Sequence, residues 1–139
     1  VDAAGPVVMD GDPPALICTS GPASAAAIRW IRRCLDEAGA SVKLFYSGDF
    51  DVKGLAMGQT LFDLFPDRFT PCRFDSAAYL EAAWQRPGPD MDDADIERLG
   101  KMQVSWDAAL CRTMRDAARK VHQESFVERL AEDYRRAFG

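Results

Sequence analysis

The sequence predicts an α/β fold, in which a parallel sheet is flanked by helices and followed by a helical C-terminal part. Over residues 1–84, short apolar runs of strand length alternate with segments of helical periodicity, and short connections join them. From residue 90 onward the apolar pattern is helical only. A chain of 139 residues is large enough for one hydrophobic core. We therefore expect a single domain over 1–139, with an α/β core at 1–84 and a helical part at 90–139.

The first predicted elements are a strand and a helix. The opening dozen residues, rich in Ala, Gly, Pro and Asp, are expected to be irregular. Ala15–Cys18 is an apolar run with the length of a buried strand. Over Ala25–Ala38 the apolar side chains recur at helical spacing; Ser24 can cap the start of this helix and Gly39 closes its end.

Two more strand–helix units follow. Val42–Tyr46 is an apolar strand that leads into a helix over about 52–64. Arg68–Phe74 is a short strand, with Pro71 at an edge or an end, and it leads into a helix that Ser76 caps and that ends at Trp84. Alternation of strands and helices with short connections predicts parallel strands, and ligands of such sheets bind beyond the carboxyl ends of the strands.

The C-terminal part is predicted to be entirely helical. After a Pro- and Gly-containing linker at 85–90, we expect helices over Asp93–Leu99, Trp106–Arg119 and Val121–Phe138. The tryptophans are expected to lie on helices, as residues of the core or of a domain interface; they are Trp30, Trp84 and Trp106.

The composition is that of an ordinary globular protein of the cytoplasm. Hydrophobic residues make up 47% of the chain and charged residues 28%, which is typical of a folded domain. No apolar run approaches the roughly 18–20 residues that span a bilayer. The start has neither an initiator Met nor a signal-peptide pattern, so we expect a cytoplasmic location and interpret the chain as a piece of a longer protein. The cysteines are Cys18, Cys34, Cys72 and Cys111. Their even number is compatible with disulfides, but no two form a C-x-x-C pair, and we expect them to be small buried hydrophobes in a reducing compartment.

The charge balance argues against broad nucleic-acid binding. A formal net charge of −5 disfavours non-specific association with DNA, because an acidic surface repels phosphates. Local basic clusters can still act as contact points; they are Arg29-Arg32-Arg33, Arg112-Arg115-Arg119-Lys120 and Arg135-Arg136. His122 is the only histidine, which excludes a His-rich zinc site, and we expect it to be solvated in a polar helical stretch.

The most informative segment is Gly-Asp-Phe-Asp-Val-Lys-Gly at residues 48–54, which we call the acidic turn. Asp49 and Asp51 are two residues apart, so in extended backbone both carboxylates point the same way. Repulsion between converging carboxylates is relieved by a raised pKa or by a hard cation. Gly48 is expected to allow a sharp turn and close approach of a ligand, and Gly54 to allow tight packing in the first helical turn. Alternatively, the two aspartates only cap the helix and stay solvated.

A buried strand, then Gly-Asp-x-Asp-x-x-Gly, then a helix resembles the Toprim fold, the metal-binding domain of topoisomerases, primases and related nucleases. This form of the turn is similar to that of the type IIB topoisomerase A subunit and of the nuclease subunit of the Wadjet plasmid-defence system. More specifically, the chain looks like the C-terminal, Toprim-like domain of an uncharacterised bacterial family related to that subunit. The segments that support the resemblance are Leu16–Gly21, Ser24–Ala26, Tyr46–Leu55, Pro71–Phe74, Trp106–Asp107 and Val121–Glu124.

The resemblance implies that Asp49 and Asp51 hold Mg²⁺ or Mn²⁺ and take part in catalysis. Toprim domains also place a glutamate at the end of their first strand, and the similar family has it in a Glu-Asn pair before the Cys-Thr-Ser-Gly segment. Here the first glutamate is Glu37, within the first predicted helix. Either the chain begins after the expected position or this member lacks that residue. Glu124, at a family-like position, is the best substitute and is the third catalytic candidate.

A phosphate-binding role is considered for two further sites. Thr19, Ser20 and Gly21 follow a strand and precede a helix, where backbone N–H groups can bind a phosphate; the alternative is an ordinary capped turn. Arg73, at the end of the third predicted strand, is expected to meet a phosphate or to pair with Asp49.

Two functions follow from these features. The first is a nuclease-like, metal-dependent domain of a DNA-processing protein, with defence among its roles, whose partners are DNA and upstream domains of the same parent protein. The isolated chain is expected not to cleave DNA, because it is acidic and lacks the first-strand glutamate. The second is a degenerate, non-catalytic module that keeps the Toprim shape for protein contacts.

Overall fold

The fold contains a four-stranded sheet. A computed structural model describes residues 3–7, 15–18 and 24–138 of the chain, with side chains described from Ser24 to Arg136. The strands are β1 (Ala3–Val7), β2 (Ala15–Cys18), β3 (Leu44–Tyr46) and β4 (Phe69–Pro71). Their order in the sheet is β2-β1-β3-β4. β3 and β4 are parallel, with Leu44 opposite Phe69, whereas β1 is antiparallel to both β2 and β3. The α/β class is therefore confirmed, and the predicted parallel pairing is confirmed for β3 and β4.

β1 corrects two expectations. The opening residues are not irregular, because Ala3–Val7 forms a strand that lies between β2 and β3. For the same reason the sheet is mixed rather than parallel throughout. The register of β1 against β2 shifts between Ala4 and Val7, the stretch that contains Gly5 and Pro6, and these residue types normally argue against a strand. Two successive antiparallel pairings restore the direction, so β2, β3 and β4 point the same way.

Helices account for most of the rest of the described chain. They are α1 (Ala25–Ala38), α2 (Val52–Leu64), α3 (Ser76–Gln85), α4 (Asp93–Lys101), α5 (Leu110–Ala117), the 3₁₀ turn η1 (Gln123–Phe126) and α6 (Val127–Phe138). The ends of α1 are those predicted: Ser24 Oγ accepts a hydrogen bond from the N–H of Ala27, and Gly39 has a positive φ of 95°. The cap of α3 was wrongly predicted, because Asp75 rather than Ser76 accepts from the N–H of Ala78.

The first predicted helix of the C-terminal part begins at Asp93 as expected, but the other two were predicted to begin too early. Trp106 lies in a turn rather than on a helix, because the carboxylate of Asp107 binds Ser76 and the N–H of Ala109, and α5 begins only at Leu110. The last helix does not begin at Val121. That residue forms an antiparallel bridge with Phe50, and the 3₁₀ turn precedes α6.

One cluster of buried side chains joins the α/β part to the helical part. Phe50, from the acidic turn, has no exposed surface. Its ring centroid lies 4.8 Å from that of Phe74, 5.3 Å from that of Tyr79 and 5.6 Å from that of Phe126. Phe50 thus anchors the acidic turn in the middle of the core, where aromatic pairs add about 0.5–1.5 kcal/mol each beyond area burial.

Of the three tryptophans, one packs against the core and two are exposed, whereas all three were expected in the core or in a domain interface. Trp106 is partly buried against the core, where its ring stacks on Phe74 and its Nε1 donates a hydrogen bond to the carbonyl oxygen of Phe74. Trp84 is 89% exposed and Trp30 is also exposed, so neither is a core residue.

Three cysteines have described side chains, and none of them is in a disulfide. Cys34, Cys72 and Cys111 are free, and burial raises the pKa of the Cys72 and Cys111 thiols; Cys111 is buried and the other two are partly so. The side chain of Cys18 lies outside the described residues.

None of the described helices has the length and apolar character needed to cross a membrane.

Candidate functional site

The acidic turn connects β3 to α2 at the carboxyl end of β3. The rings of Tyr46 and Phe50 both pack on Phe74, at centroid distances of 5.4 and 4.8 Å, so these two side chains share the core side of the segment. Side chains alternate along extended backbone, which places Asp49 and Asp51 on the opposite side. The turn therefore separates an aromatic anchor from a pair of carboxylates.

Asp51 is the N-cap of α2 and is also partly buried. Its Oδ1 accepts a hydrogen bond of 2.7 Å from the N–H of Gly54. Burial raises the pKa of Asp51 above its ordinary value; the bond from Gly54 opposes this rise, and the charge of Asp49 adds to it. One oxygen of Asp51 therefore caps the helix, as the alternative interpretation predicted, but the carboxylate is partly buried rather than fully solvated.

Asp49 binds a different part of the chain. Its Oδ1 accepts a hydrogen bond of 2.7 Å from the N–H of Gln123, and its side chain is 27% exposed. The bridge between Phe50 and Val121 reinforces this contact, with a distance of 2.8 Å from the Phe50 nitrogen to the Val121 oxygen. The segment before η1 therefore closes over the acidic turn and fixes the rotamer of Asp49.

His122 also belongs to this site, a placement that the sequence did not predict. Its Nδ1 lies 3.9 Å from Oδ2 of Asp49, and the imidazole is 52% exposed. It is solvated, as expected, but it lies in the extended residues before η1 rather than in a helix. The segment Val-His-Gln-Glu at 121–124 was among those that support the Toprim resemblance. No local pattern showed that the two segments touch.

Two more groups beside the aspartates were not predicted. The positive charge of Lys120 counts among the influences that lower the pKa of Asp51, and its Nζ is 3.2 Å from Oδ2 of Asp95. Ser47 is 2% exposed, and its hydroxyl has no hydrogen-bond partner within the described part of the chain. A buried, unpaired hydroxyl next to the turn is costly, since such groups normally find a partner.

The two glycines of the acidic turn serve packing. A Cβ on Gly54 would collide with the carbonyl oxygen of Asp49, so α2 can begin this close to the turn only with a glycine. Gly48 has no positive φ, so it does not use the backbone conformation that glycine favours. A Cβ there would lie 2.7 Å from the hydroxyl oxygen of Tyr46, so the missing side chain makes room for the tyrosine ring.

Arg73 does not pair with Asp49. Its Nε and Nη2 donate to Asp133 of α6 over 2.7 and 3.1 Å, and its Nη1 is 3.8 Å from Glu81. Arg73 also has a left-handed φ of 49°. Because two carboxylates already neutralise the guanidinium, it is poorly suited to bind a phosphate.

The remaining candidates are placed as follows. Glu124 is exposed in η1, directly after Gln123, whose N–H binds Asp49. The predicted phosphate-binding residues Thr19, Ser20 and Gly21 lie outside the described residues. Their role stays a prediction.

The carboxylates of the acidic turn are the donor set for the Mg²⁺ or Mn²⁺ that the resemblance implies. In the described residues no three His, Cys, Asp or Glu side chains come close enough to form a cage for a metal ion. Asp49 and Asp51 each use Oδ1 in a backbone hydrogen bond and make no described hydrogen bond through Oδ2. Mg²⁺ is commonly held by one or two carboxylates with several waters, and two carboxylate oxygens fit this mode.

We expect Asp51 to titrate above the ordinary aspartate range, and Asp49→Asn to lower its midpoint, because the substitution removes a neighbouring negative charge. A raised folded-state pKa means that ionised Asp51 costs stability above that pKa. This cost disappears as the pH falls below the unfolded-state value. Carboxyl-detected NMR titration of both proteins measures the two midpoints. A normal midpoint in the wild type, or no change in the variant, would contradict the interaction.

Comparison with known protein families identifies the family of the chain. No curated protein and no solved structure matches it. The family match spans residues 2–134 and so includes the acidic turn and the segment that closes over it. The family description names no fold or activity, so the Toprim resemblance stays a prediction. The chain belongs to the DUF2399 family, described as "Protein of unknown function C-terminus".

Proposed function

We propose that this domain binds Mg²⁺ or Mn²⁺ through Asp49 and Asp51, as a Toprim-like domain of a larger protein that processes DNA. The main support is the pair of carboxylates at the carboxyl end of β3, each fixed by a backbone N–H and each with a second oxygen that makes no described hydrogen bond. The parallel pairing of β3 and β4 adds to this, since ligands of such sheets bind beyond the carboxyl ends of the strands.

The surrounding residues hold the carboxylates in place before any ligand arrives. The N–H of Gln123 orients Asp49, and the N–H of Gly54 orients Asp51. The hydroxyl of Tyr46 donates to the carbonyl oxygen of Gly54 over 3.0 Å, which ties α2 to β3. Such preorganisation lowers the cost of binding, because little side-chain freedom remains to be lost.

The chemistry supported by this arrangement is phosphodiester cleavage. When bound, the cation supplies Lewis-acid activation of a phosphate oxygen and of water. His122 presents a half-exposed imidazole, with Nδ1 3.9 Å from Oδ2 of Asp49, at the open side of the site. Glu124 stays a catalytic candidate on the strength of the resemblance.

Mn²⁺ binding tests the proposal. We expect weak heats of binding in calorimetry for the wild type and at least about a tenfold loss of affinity, ~1.4 kcal/mol, for Asp49→Asn/Asp51→Asn. Asparagine keeps the size and the capping ability of aspartate, so the variant removes charge with little change of shape. Asp92→Asn is the matched control, since Asp92 caps α4 in the same way through the N–H of Asp95.

The two variants separate the outcomes. Affinity that falls in Asp92→Asn instead would place the cation at the first turn of α4, which also contains Asp93 and Asp95, and would overturn the proposal. Unchanged affinity in Asp49→Asn/Asp51→Asn would also overturn it.

A second candidate function is a non-catalytic module that keeps this shape for protein contacts. The observation that favours it is an exposed apolar pair on α3: Leu80 is 54% exposed and Trp84 is 89% exposed, one helical turn apart. Absence of any Mn²⁺ binding in calorimetry would favour this function over the first.

A further inference from the structure

An exposed basic segment leads along the chain to the acidic turn. Arg112 and Arg115 lie on the exposed side of α5, three residues apart, while Leu110, Cys111 and Met114 are buried on its other side. Arg119 is exposed just beyond the end of α5. We call Arg112, Arg115 and Arg119 the α5 track.

The charges of the α5 track are largely uncompensated. Within the described part of the chain, neither Arg112 nor Arg115 forms an ion pair or a hydrogen bond through its side chain. Arg119 is 3.4 Å from Asp90 at an exposed contact, and its Nη1 donates to the carbonyl oxygen of Gly88. Asp116 is the one carboxylate on α5 itself. An exposed pair such as that of Arg119 is easily exchanged for another anion, since it contributes only about 0–1 kcal/mol.

Several other basic side chains of the described chain lie close to carboxylates. Arg33 and Lys101 pair with Glu37 and Glu97, one helical turn away in each case. Arg135 and Arg136 are exposed on α6, but that helix also contains three carboxylates, those of Glu128, Glu132 and Asp133. Positive charge on the α5 track is therefore less offset than at these sites, although the whole chain has a net charge of −5.

The length of the connecting chain limits the distance between the α5 track and the acidic turn. Arg115 is eight residues from Gln123, whose N–H binds Asp49, so it lies within about 28 Å of that contact even for a fully extended connection. One turn of duplex DNA is about 34 Å long. A duplex that contacts Arg115 can therefore reach the acidic turn within a single helical turn.

We infer that the α5 track is the surface along which the phosphate backbone of DNA approaches the acidic turn. The choice of DNA as the polyanion rests on the proposed function; the surface itself rests on exposure and unpaired charge. Arginine suits this contact because its planar fork matches phosphate oxygens and keeps its charge at any physiological pH. The contact positions the duplex without reading its sequence, as backbone contacts do.

Fluorescence anisotropy with a labelled 20-bp duplex, in EDTA and at 20–150 mM salt, tests the inference. We expect Arg112→Gln/Arg115→Gln to weaken binding at least about tenfold at low salt and to reduce the slope of log Kd against log salt by about 2. The matched control is Arg135→Gln/Arg136→Gln, which changes the net charge by the same two units; we expect less than about a threefold effect there. Circular dichroism checks that both variants fold.

Each outcome decides the matter. Equal losses in the two variants would show a general charge effect and would overturn the inference, as would unchanged binding in the α5 variant or no binding by the wild type at 20 mM salt. Because EDTA removes divalent cations, the result does not depend on metal binding at Asp49 and Asp51. The two proposals can therefore fail separately.

Discussion

Gly54→Ala is expected to lower the free energy of unfolding by about 3 kcal/mol, at the upper end of what an overpacked site normally costs. The reason is geometric: the new methyl group would collide with the carbonyl oxygen of Asp49, which is backbone and cannot rotate away. The turn must then open, which also disturbs the bond from the Gly54 N–H to Asp51. Urea denaturation followed by circular dichroism measures the loss.

Gly100→Ala provides the control. Gly100 lies within α4 and is exposed, and a Cβ there meets only the flexible end of Arg115, at 3.2 Å. Alanine is the better helix former by about 0.8–1.0 kcal/mol, so we expect this substitution to raise stability slightly. If the two substitutions had similar effects, the close contact between Gly54 and Asp49 would not exist in solution.

The elements that the sequence predicted well are those with local causes. The bounds of α1 and α2 follow from residues within the segments themselves, namely the cap at Ser24, the glycine at Gly39 and the capping carboxylate of Asp51. The apolar residues inside these segments recur with the period of an α-helix. No distant contact is needed to define either helix.

The elements that were missed depend on distant partners. Val121 is extended because it pairs with Phe50, 71 residues earlier in the chain, and no local pattern records that pairing. Residues 106–109 leave the helical path because Asp107 binds Ser76. β1 was missed because Gly5 and Pro6 are weak strand formers, and its place between β2 and β3 compensates for them.

The residues of the candidate site show the same contrast between local signals and distant partners. Asp49 and Asp51 were predicted from spacing of two after a strand, which is a local signal. The contact between Asp49 and Gln123 joins residues that are 74 positions apart in the chain. It brings His122 and Lys120 close to the acidic turn, which no local sequence pattern indicated. Arg73 was expected to meet a phosphate or to pair with Asp49, yet Asp133 of α6 pairs with it, since the path of α6 over the core was unknown.

Asp107→Asn is expected to lower the free energy of unfolding by about 2–3 kcal/mol, because one carboxylate serves two helices. Its Oδ2 accepts from the N–H and the hydroxyl of Ser76, over 2.7 and 2.6 Å, and its Oδ1 accepts from the N–H of Ala109 over 2.9 Å. Asparagine has one acceptor oxygen, so its NH₂ must face an N–H donor at one of these two positions. Ser76→Ala, which removes only the hydroxyl, is expected to cost about 1 kcal/mol.

The pH dependence distinguishes this charge-assisted network from packing alone. Burial raises the pKa of Asp107, but the hydrogen bonds from Ser76, Ala109 and Leu110 outweigh it, so the pKa is lowered in the folded state. The ionised carboxylate therefore stabilises the fold above its unfolded-state pKa, near 3.9, and this contribution is lost as the pH falls through the lower folded-state value. We expect the difference in stability between the wild type and Asp107→Asn to be constant from about pH 8 to pH 5 and to shrink below about pH 4. Urea titrations at several pH values measure it, and a difference that stayed constant down to pH 2.5 would mean that the charge of Asp107 contributes nothing.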